Sequence, residues 1–404
     1  MAGLRIALVI PGIPERSTGP SMWVKDLAHQ LCDAGHKVTV VTSDLATGGG
    51  SPGPMVEIDR RVTLEFFPVR SALGRRLYYS AGMKRWLYSK IAEFDVVNIS
   101  GVWSFVTVHA ARACHKAATP YVLTPHGQMA KWDWEKSYWR KWVFFNTHLR
   151  TVWRSASAIN FLSAGEARDS MAEAVEQGVI IPHWVTLPSV GPSQVEAAGL
   201  REKLGIPAGC PVLLFLGRIS AQKGVLEILA AFDHLWRRRP EAFLLLVGPH
   251  DKGYGVRVTS VIARLSSKPN IRILDPLYDQ RKFTLFSIAS LFITLSRNEG
   301  LPNAVLEALA SGVPVVITEQ ANLPEVTRFR AGAIVPHEPD AVAAKLEALL
   351  ADPTGLGRMS AGAKNLFLER FTPEAVMPEL FKLYRRVAAG NPRRSKIHIG
   401  DCII

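Results

Sequence analysis

Apolar positions in this chain fall into short unbroken runs separated by longer stretches with helical spacing. Runs at 4–10, 37–43, 62–68, 96–100 and 121–124 read as strands, with a helix expected at about 21–34 and others between the later runs. Further strands at 157–162 and 179–182 close this first set. The grammar then repeats, with strands at 211–216, 243–247, 271–274, from Phe292, and at 314–318, and helices at 225–238, 339–351 and about 356–370. Strands that alternate with helices predict parallel sheets covered on both faces. A chain of 404 residues has room for two such domains. The Pro-rich passage around Pro182, Pro188 and Pro192 places the division, giving 1–190 and 191–372. After Phe371-Thr372-Pro373, apolar residues at Val376, Leu380, Leu383 and Tyr384 predict a last helix over 373–389, packing back on the first domain, and then a basic tail at 390–404.

Composition narrows the class. Apolar content of 48% and charged content of 21% exclude a disordered chain. Cys32, Cys114, Cys210 and Cys402 lie far apart with no C-x-x-C pair, which argues against a zinc ribbon or a disulfide framework and for a reducing compartment. The N-terminus opens on a strand-like run without a cleavage pattern, so no secretory leader is expected. The longest apolar candidate for a span, 284–295, is too short. A cytoplasmic location follows as the expectation. The formal charge of +13 calls for an anionic partner: nucleic acid, a membrane surface or a phosphorylated substrate.

Two stretches concentrate that charge. Between 69 and 91 there is no acidic residue, but Arg70, Arg75, Arg76, Lys84, Arg85 and Lys90 stand among Tyr78, Trp86 and Tyr88. From 131 to 154, Lys131, Lys136, Arg140, Lys141, Arg150 and Arg154 accompany Trp132, Trp134, Trp139, Trp142 and Trp153. Such mixtures suit an anionic membrane surface, single-stranded nucleic acid, or helices whose aromatics lie in a core.

Candidate chemistry gathers at loops after strands. In 292–318, Pro302 suits a first helical position and Gly312 the exit, which leaves N–H groups near Leu301 to Ala304 at the positive end of a helix, where a phosphate is attracted. Glu307 lies about a turn further in and can accept both hydrogens of a sugar diol, while Glu299 in the loop can reach a different ring. After the run 211–216, Arg218 can fork two oxygens and Lys223 supplies a mobile point charge. Strand, Pro11-Gly12, and a helix opened by Gly19-Pro20 form a phosphate-cradle grammar, without G-x-G-x-x-G or a Walker lysine. His126, in Thr124-Pro125-His126-Gly127, follows a strand's C-terminal end, where ligands bind in doubly wound sheets.

Glu299 and Glu307, with seven residues between them inside N-E-G-L-P-N-A-V-L-E-A-L-A-S-G-V-P-V-V, resemble the signature of the retaining glycosyltransferases of family 4. The resemblance implies the GT-B fold, two Rossmann-like doubly wound domains facing across a cleft. It implies transfer of a sugar from a nucleoside diphosphate to an acceptor hydroxyl with retention, with no metal or other cofactor; the chain has no D-x-D triad. By the same resemblance, Gly217-Arg218 and Lys223 hold the leaving pyrophosphate, and Gly300, Leu301, Pro302 and Asn303 line the donor. Glu307 takes the ribose diol, Glu299 the donor sugar, and His126 lies near the reacting carbon. Gly19 would face the donor phosphate, although Gly19-Pro20-Ser21 departs from the usual Gly-Gly. His183-Trp184 stands where relatives have Asn-Gly, and no role is carried to it. The sequence around Ser21 and His126 looks like enzymes of bacterial polysaccharide assembly. That suggests a lipid-linked or oligosaccharide acceptor and a place on the inner face of the plasma membrane. A glycoside hydrolase would have no use for Arg218 and Lys223. A nucleotide-sugar epimerase would need no acceptor. A nucleic-acid-binding protein would account for the charge but not for the acidic signature.

Overall fold

The computed structural model describes residues 3–13, 19–44, 58–69, 72–135, 137–170, 177–188, 191–251, 253–277 and 281–390. Of the residues singled out above, Arg70, Lys136, Cys402, the tail from 391 and the side chain of Arg76 lie outside that set. The chain divides into two compact units, residues 3–183 with 376–390, and residues 184–375.

The first unit holds a seven-stranded parallel sheet: β1 (Arg5–Val9), β2 (Lys37–Thr42), β3 (Thr63–Phe66), β4 (Val96–Ser100), β5 (Tyr121–Thr124), β6 (Ala158–Phe161) and β7 (Gly178–Ile180), in the order β3-β2-β1-β4-β5-β6-β7. The second holds six: β8 (Val212–Leu216), β9 (Phe243–Val247), β10 (Ile271–Leu274), β11 (Leu291–Thr294), β12 (Val315–Ile317) and β13 (Gly332–Ile334), in the order β10-β9-β8-β11-β12-β13. Every pairing is parallel. The central strands read as unbroken apolar runs because helices cover both faces. Every residue of β4, β5, β9 and β11 is buried. β3 at the sheet edge is mostly exposed and is shorter than the apolar run suggests.

Each sheet reverses its strand order once, between β1 and β4 in the first and between β8 and β11 in the second. At such a switch point the loops leave the strand ends in opposite directions and open a crevice for a ligand. In the second unit, the β8 and β11 loops are the ones carrying Arg218, Lys223 and Glu299.

The last helix, Pro373–Ala388, contributes its residues from Val376 onward to the first unit. Its buried Tyr384 hydroxyl accepts a 3.0 Å hydrogen bond from Asn98 Nδ2 on β4, and Phe381 lies 5.4 Å from the His36 ring.

Candidate functional site

In the second unit, the chain leaves β8 through Gly217 and Arg218, makes a single 3-10 turn over Ala221–Lys223, and enters the helix Val225–Trp236 at Gly224, whose φ is +66°. A Cβ at position 224 would lie 2.2 Å from the Leu295 carbonyl oxygen. Glycine therefore lets this loop lie directly against the one after β11. The two loops are laced together: Arg297 N–H donates to the Gln222 carbonyl at 2.8 Å, and Gln222 Nε2 donates to the Asn298 carbonyl at 3.0 Å. Across this seam the Lys223 ammonium pairs with the Glu299 carboxylate. Asn322 Nδ2 holds the Glu299 carbonyl at 2.7 Å. Arg218 stands half-exposed, 3.4 Å from Asp251.

Beyond Gly300 and Leu301 the helix Asn303–Ala310 begins. Pro302 is its N-cap, in extended conformation at φ −81° and ψ 108°, rather than the first helical residue expected from the sequence. The reason is the bonding of its carbonyl, which receives the Val305 and Leu306 N–H groups at 2.9 and 3.3 Å and so closes the first turn. A proline N-cap offers no side-chain acceptor, so Pro302 itself makes no side-chain capping bond. The helix's positive end suits an incoming anion. Glu307, one turn in, is buried and accepts a 2.7 Å hydrogen bond from Lys282 Nζ, at the start of the helix Lys282–Ile288. Lys282 was invisible to sequence reasoning because no local motif marks a lysine 25 residues from its partner.

Both carboxylates proposed for sugar hydroxyls thus come with a lysine already attached. An ammonium has three donors and a carboxylate about four acceptor positions, so each pair keeps capacity for a ligand. Cations, a helix N-terminus, a loop carboxylate at Glu299 and a helix carboxylate at Glu307, all at one switch point, can meet a phosphate and a diol together.

In the first unit, His126 follows β5 with φ +55°, and Gly127 continues the left-handed turn at +75°. Trp23, from the helix Gly19–Asp33, meets the His126 ring edge-on at 5.3 Å and stacks on His183 at 5.1 Å, while His183 lies 5.2 Å from His126. Burial, reinforced by His183, holds the His126 pKa well below the ordinary histidine value, so the imidazole is neutral. Among the described residues, neither His126 nitrogen has a hydrogen-bond partner. Sequence reasoning assigned His183 no role, yet it forms a wall of this ring cluster. Gly19 opens its helix, and Ser21 Oγ donates to the Gly12 carbonyl at 3.2 Å; the loop between, 14–18, lies outside the described residues.

The basic aromatic stretches separate into two kinds of residue. Trp134, Phe145 and Trp153 are core, whereas Tyr138, Trp142 and Val143 are exposed and Trp139 is 73% exposed. The helices Ala81–Lys90, Phe105–Ala117, Tyr138–Phe144 and Arg150–Ser155, with the π-helical turn Phe145–Leu149, carry no Asp or Glu. Phe105 joins its own helix to Tyr138–Phe144 and to the π-helical turn, lying 5.2 Å from both Phe144 and His148. Among the described residues no helix is long and apolar enough to cross a membrane, and no three His, Cys, Asp or Glu side chains cluster as metal ligands. Cys32, Cys114 and Cys210 are unpaired.

Residues 198–366 match the family model for Glycosyl transferases group 1, and residues 17–187 match that for Glycosyltransferase Family 4. The D-inositol 3-phosphate glycosyltransferase of Streptomyces bingchenggensis is 30% identical over 228 residues, covering 54% of this chain and 50% of that protein. The chain spans about half the length of these curated relatives. The alpha-maltose-1-phosphate synthase of Mycolicibacterium smegmatis is 25% identical over 335 residues, 74% of this chain and 83% of its own. Among solved structures, Anabaena HepE in complex with UDP and glucose superposes with a TM-score of 0.74 at 18% identity, covering 95% of this chain and 99% of that one. WaaG, a glycosyltransferase involved in lipopolysaccharide biosynthesis, gives 0.69 at 17% identity over 95% and 99%. At these identities the structural likeness speaks for the fold.

Proposed function

We propose, from the premise that this chain belongs to glycosyltransferase family 4 and has the GT-B fold, that it moves a sugar from a nucleoside diphosphate to an acceptor hydroxyl with retention at the anomeric carbon. The observation that carries this reading is the laced pair of loops at the second sheet's switch point, with Lys223 on Glu299 and Lys282 on Glu307 beside the N-terminus of the helix Asn303–Ala310. As the C–O bond to the phosphate breaks through an oxocarbenium-like state, negative charge builds on the leaving pyrophosphate. Arg218, Lys223 and the N–H groups at the start of the helix Asn303–Ala310 stabilise it without reorganising, which is the largest single contribution in reactions of this kind. These fixed cations do the work a metal would do. Glu307 binds the ribose diol, Glu299 the donor sugar, and the neutral His126 nitrogens hydrogen-bond near the reacting carbon. Gly19, Gly217, Gly300, Leu301, Pro302 and Asn303 line the donor.

The acceptor we propose is lipid-linked or an oligosaccharide, in bacterial polysaccharide assembly at the cytoplasmic face of a membrane. The helix Tyr138–Phe144, which carries no Asp or Glu and exposes Trp139 and Trp142, supports this. A screen of UDP-, GDP- and ADP-sugars by thermal shift tests the donor. A ligand at 100 times its Kd stabilises by about 2.7 kcal/mol. One sugar nucleotide is expected to raise the Tm, and product analysis is expected to require an acceptor. If calorimetry finds no activated sugar bound at millimolar concentration the reading fails, and turnover without acceptor would mark an epimerase instead.

A further inference from the structure

Among the described residues two buried acids have no part in the mechanism: Asp233, which is tied to Ser267 and Arg237, and Glu166. Glu166 is 2% exposed, the third residue of the short helix Ala164–Asp169 that follows β6. A glutamate there, below a serine N-cap, ordinarily reaches back to the cap's own N–H. Ser163 does cap the helix, its Oγ accepting from Glu166 N–H at 3.0 Å, but the Glu166 side chain goes elsewhere. Oε2 accepts from Leu162 N–H at 2.6 Å, and Oε1 accepts from Gly127 N–H at 2.5 Å, across from β6 to the loop after β5.

Placing a carboxyl out of water is costly unless strong hydrogen bonds meet it, and here both oxygens are met by backbone donors. The group it holds is the residue after His126. Positive φ at a histidine costs of order 1 kcal/mol, and persists where the surroundings over-determine it. The Gly127 tether is such a constraint, and it fixes the backbone from which the His126 ring enters the Trp23–His183 cluster.

We propose that Glu166 is a positioning residue for sugar transfer, which presents the His126 ring by clamping the Gly127 N–H. Burial pushes its carboxyl up to about 7, against the two N–H bonds that pull it down. Among the described residues, the titratable and charged side chains on the joined segments are His126 with its neighbour His183, and Arg168 and Asp169 on Glu166's own helix. Below that pH one oxygen carries a proton, and the clamp weakens. Above it both oxygens accept, and the clamp is complete.

The inference rests on His126 facing the donor, so its test has one arm that needs activity and one that does not. In the first, Glu166→Gln presents an amide N–H to one of the two backbone donors. It is expected to lower kcat by about 10²-fold, the scale of a misplaced contact, with donor KM little changed. Added to His126→Ala it should cost no more than His126→Ala alone. Equal losses in both backgrounds would overturn the coupling. In the second, the unaltered chain contains a single His-Gly dipeptide, so 13C-carbonyl histidine with 15N-glycine gives one cross-peak, that of Gly127. This peak should shift with a midpoint near pH 7. A Gly127 amide that exchanges with D2O as fast as an unbonded one at about pH 9, where the carboxylate is ionised, refutes the clamp even if no glycosyl transfer is found or the variant fails to fold.

Discussion

Lysines 223 and 282 both end on a carboxylate, and the two pairs predict different losses. Lys223 lies on the loop after β8, so its proposed work is on charge that appears only as the sugar leaves. Lys223→Ala is expected to lower kcat by about 10²–10³-fold, the scale of losing one preorganised donor, with far-ultraviolet circular dichroism unchanged. Near-normal turnover would remove it from the mechanism. Lys282 instead holds a buried Glu307 in place. Lys282→Met leaves that carboxylate without its partner, so the expected signature is a raised KM for the sugar nucleotide and a lowered Tm. Donor KM and Tm both at wild-type values would show that Glu307 does not depend on it. The same contrast explains what was legible at this scale. Arg218, Lys223, Glu299 and Glu307 each sit in a local pattern of strand, loop and helix that announces them. Lys282 and His183 acquire their neighbours only through the fold, and no spacing along the chain encodes that.

At the scale of elements, strands were readable because burial on both faces leaves continuous apolar runs, and helices because their spacing differs. Ends and irregular turns were less so. The 131–154 stretch reads as one helical patch but is broken into Lys131–Glu135, Tyr138–Phe144, a π-helical turn and Arg150–Ser155, which is why some of its tryptophans are core and others exposed. Pro302 was one position off because a proline tolerated at the first helical position is equally tolerated just before it. The seam between the β8 and β11 loops is the element-level feature on which the proposed donor site depends, and Gly224 is its tightest point. Gly224→Ala must keep φ near +66° and also move the Leu295 backbone. A destabilisation of about 1–3 kcal/mol is expected in urea titration, with a raised donor KM because Lys223 and Glu299 lose register. An unchanged midpoint would mean the loops part without cost.

For the whole molecule, the alternation of strands and helices made two parallel-sheet units legible, but the purpose of a +13 charge was not, since composition treats all anions alike. Exposure is the observation on which a prediction can be built. Lys84, Arg85, Arg112, Lys116, Arg140, Lys141, Arg150 and Arg154 lie on helices without a carboxylate, and Tyr138, Trp139, Trp142 and Val143 stand out from one of those helices. Single-stranded nucleic acid would need aromatic faces spaced along a groove. An exposed Trp-Trp-Val group on a short helix flanked by cations instead matches an interface of headgroups above acyl chains. Each cation near anionic headgroups contributes about 1 kcal/mol, and the contribution decays within a Debye length of about 10 Å at 0.1 M salt. The protein is therefore expected to sediment with vesicles containing phosphatidylglycerol at low salt and to be released as salt rises. Trp139→Ala with Trp142→Ala should reduce that binding, leaving the Tm and transfer to a water-soluble acceptor analogue unchanged, because neither ring lies in the core. Equal partition onto neutral vesicles would show that the charge is not recognising a membrane, and salt-sensitive binding to random single-stranded DNA would assign it to nucleic acid instead.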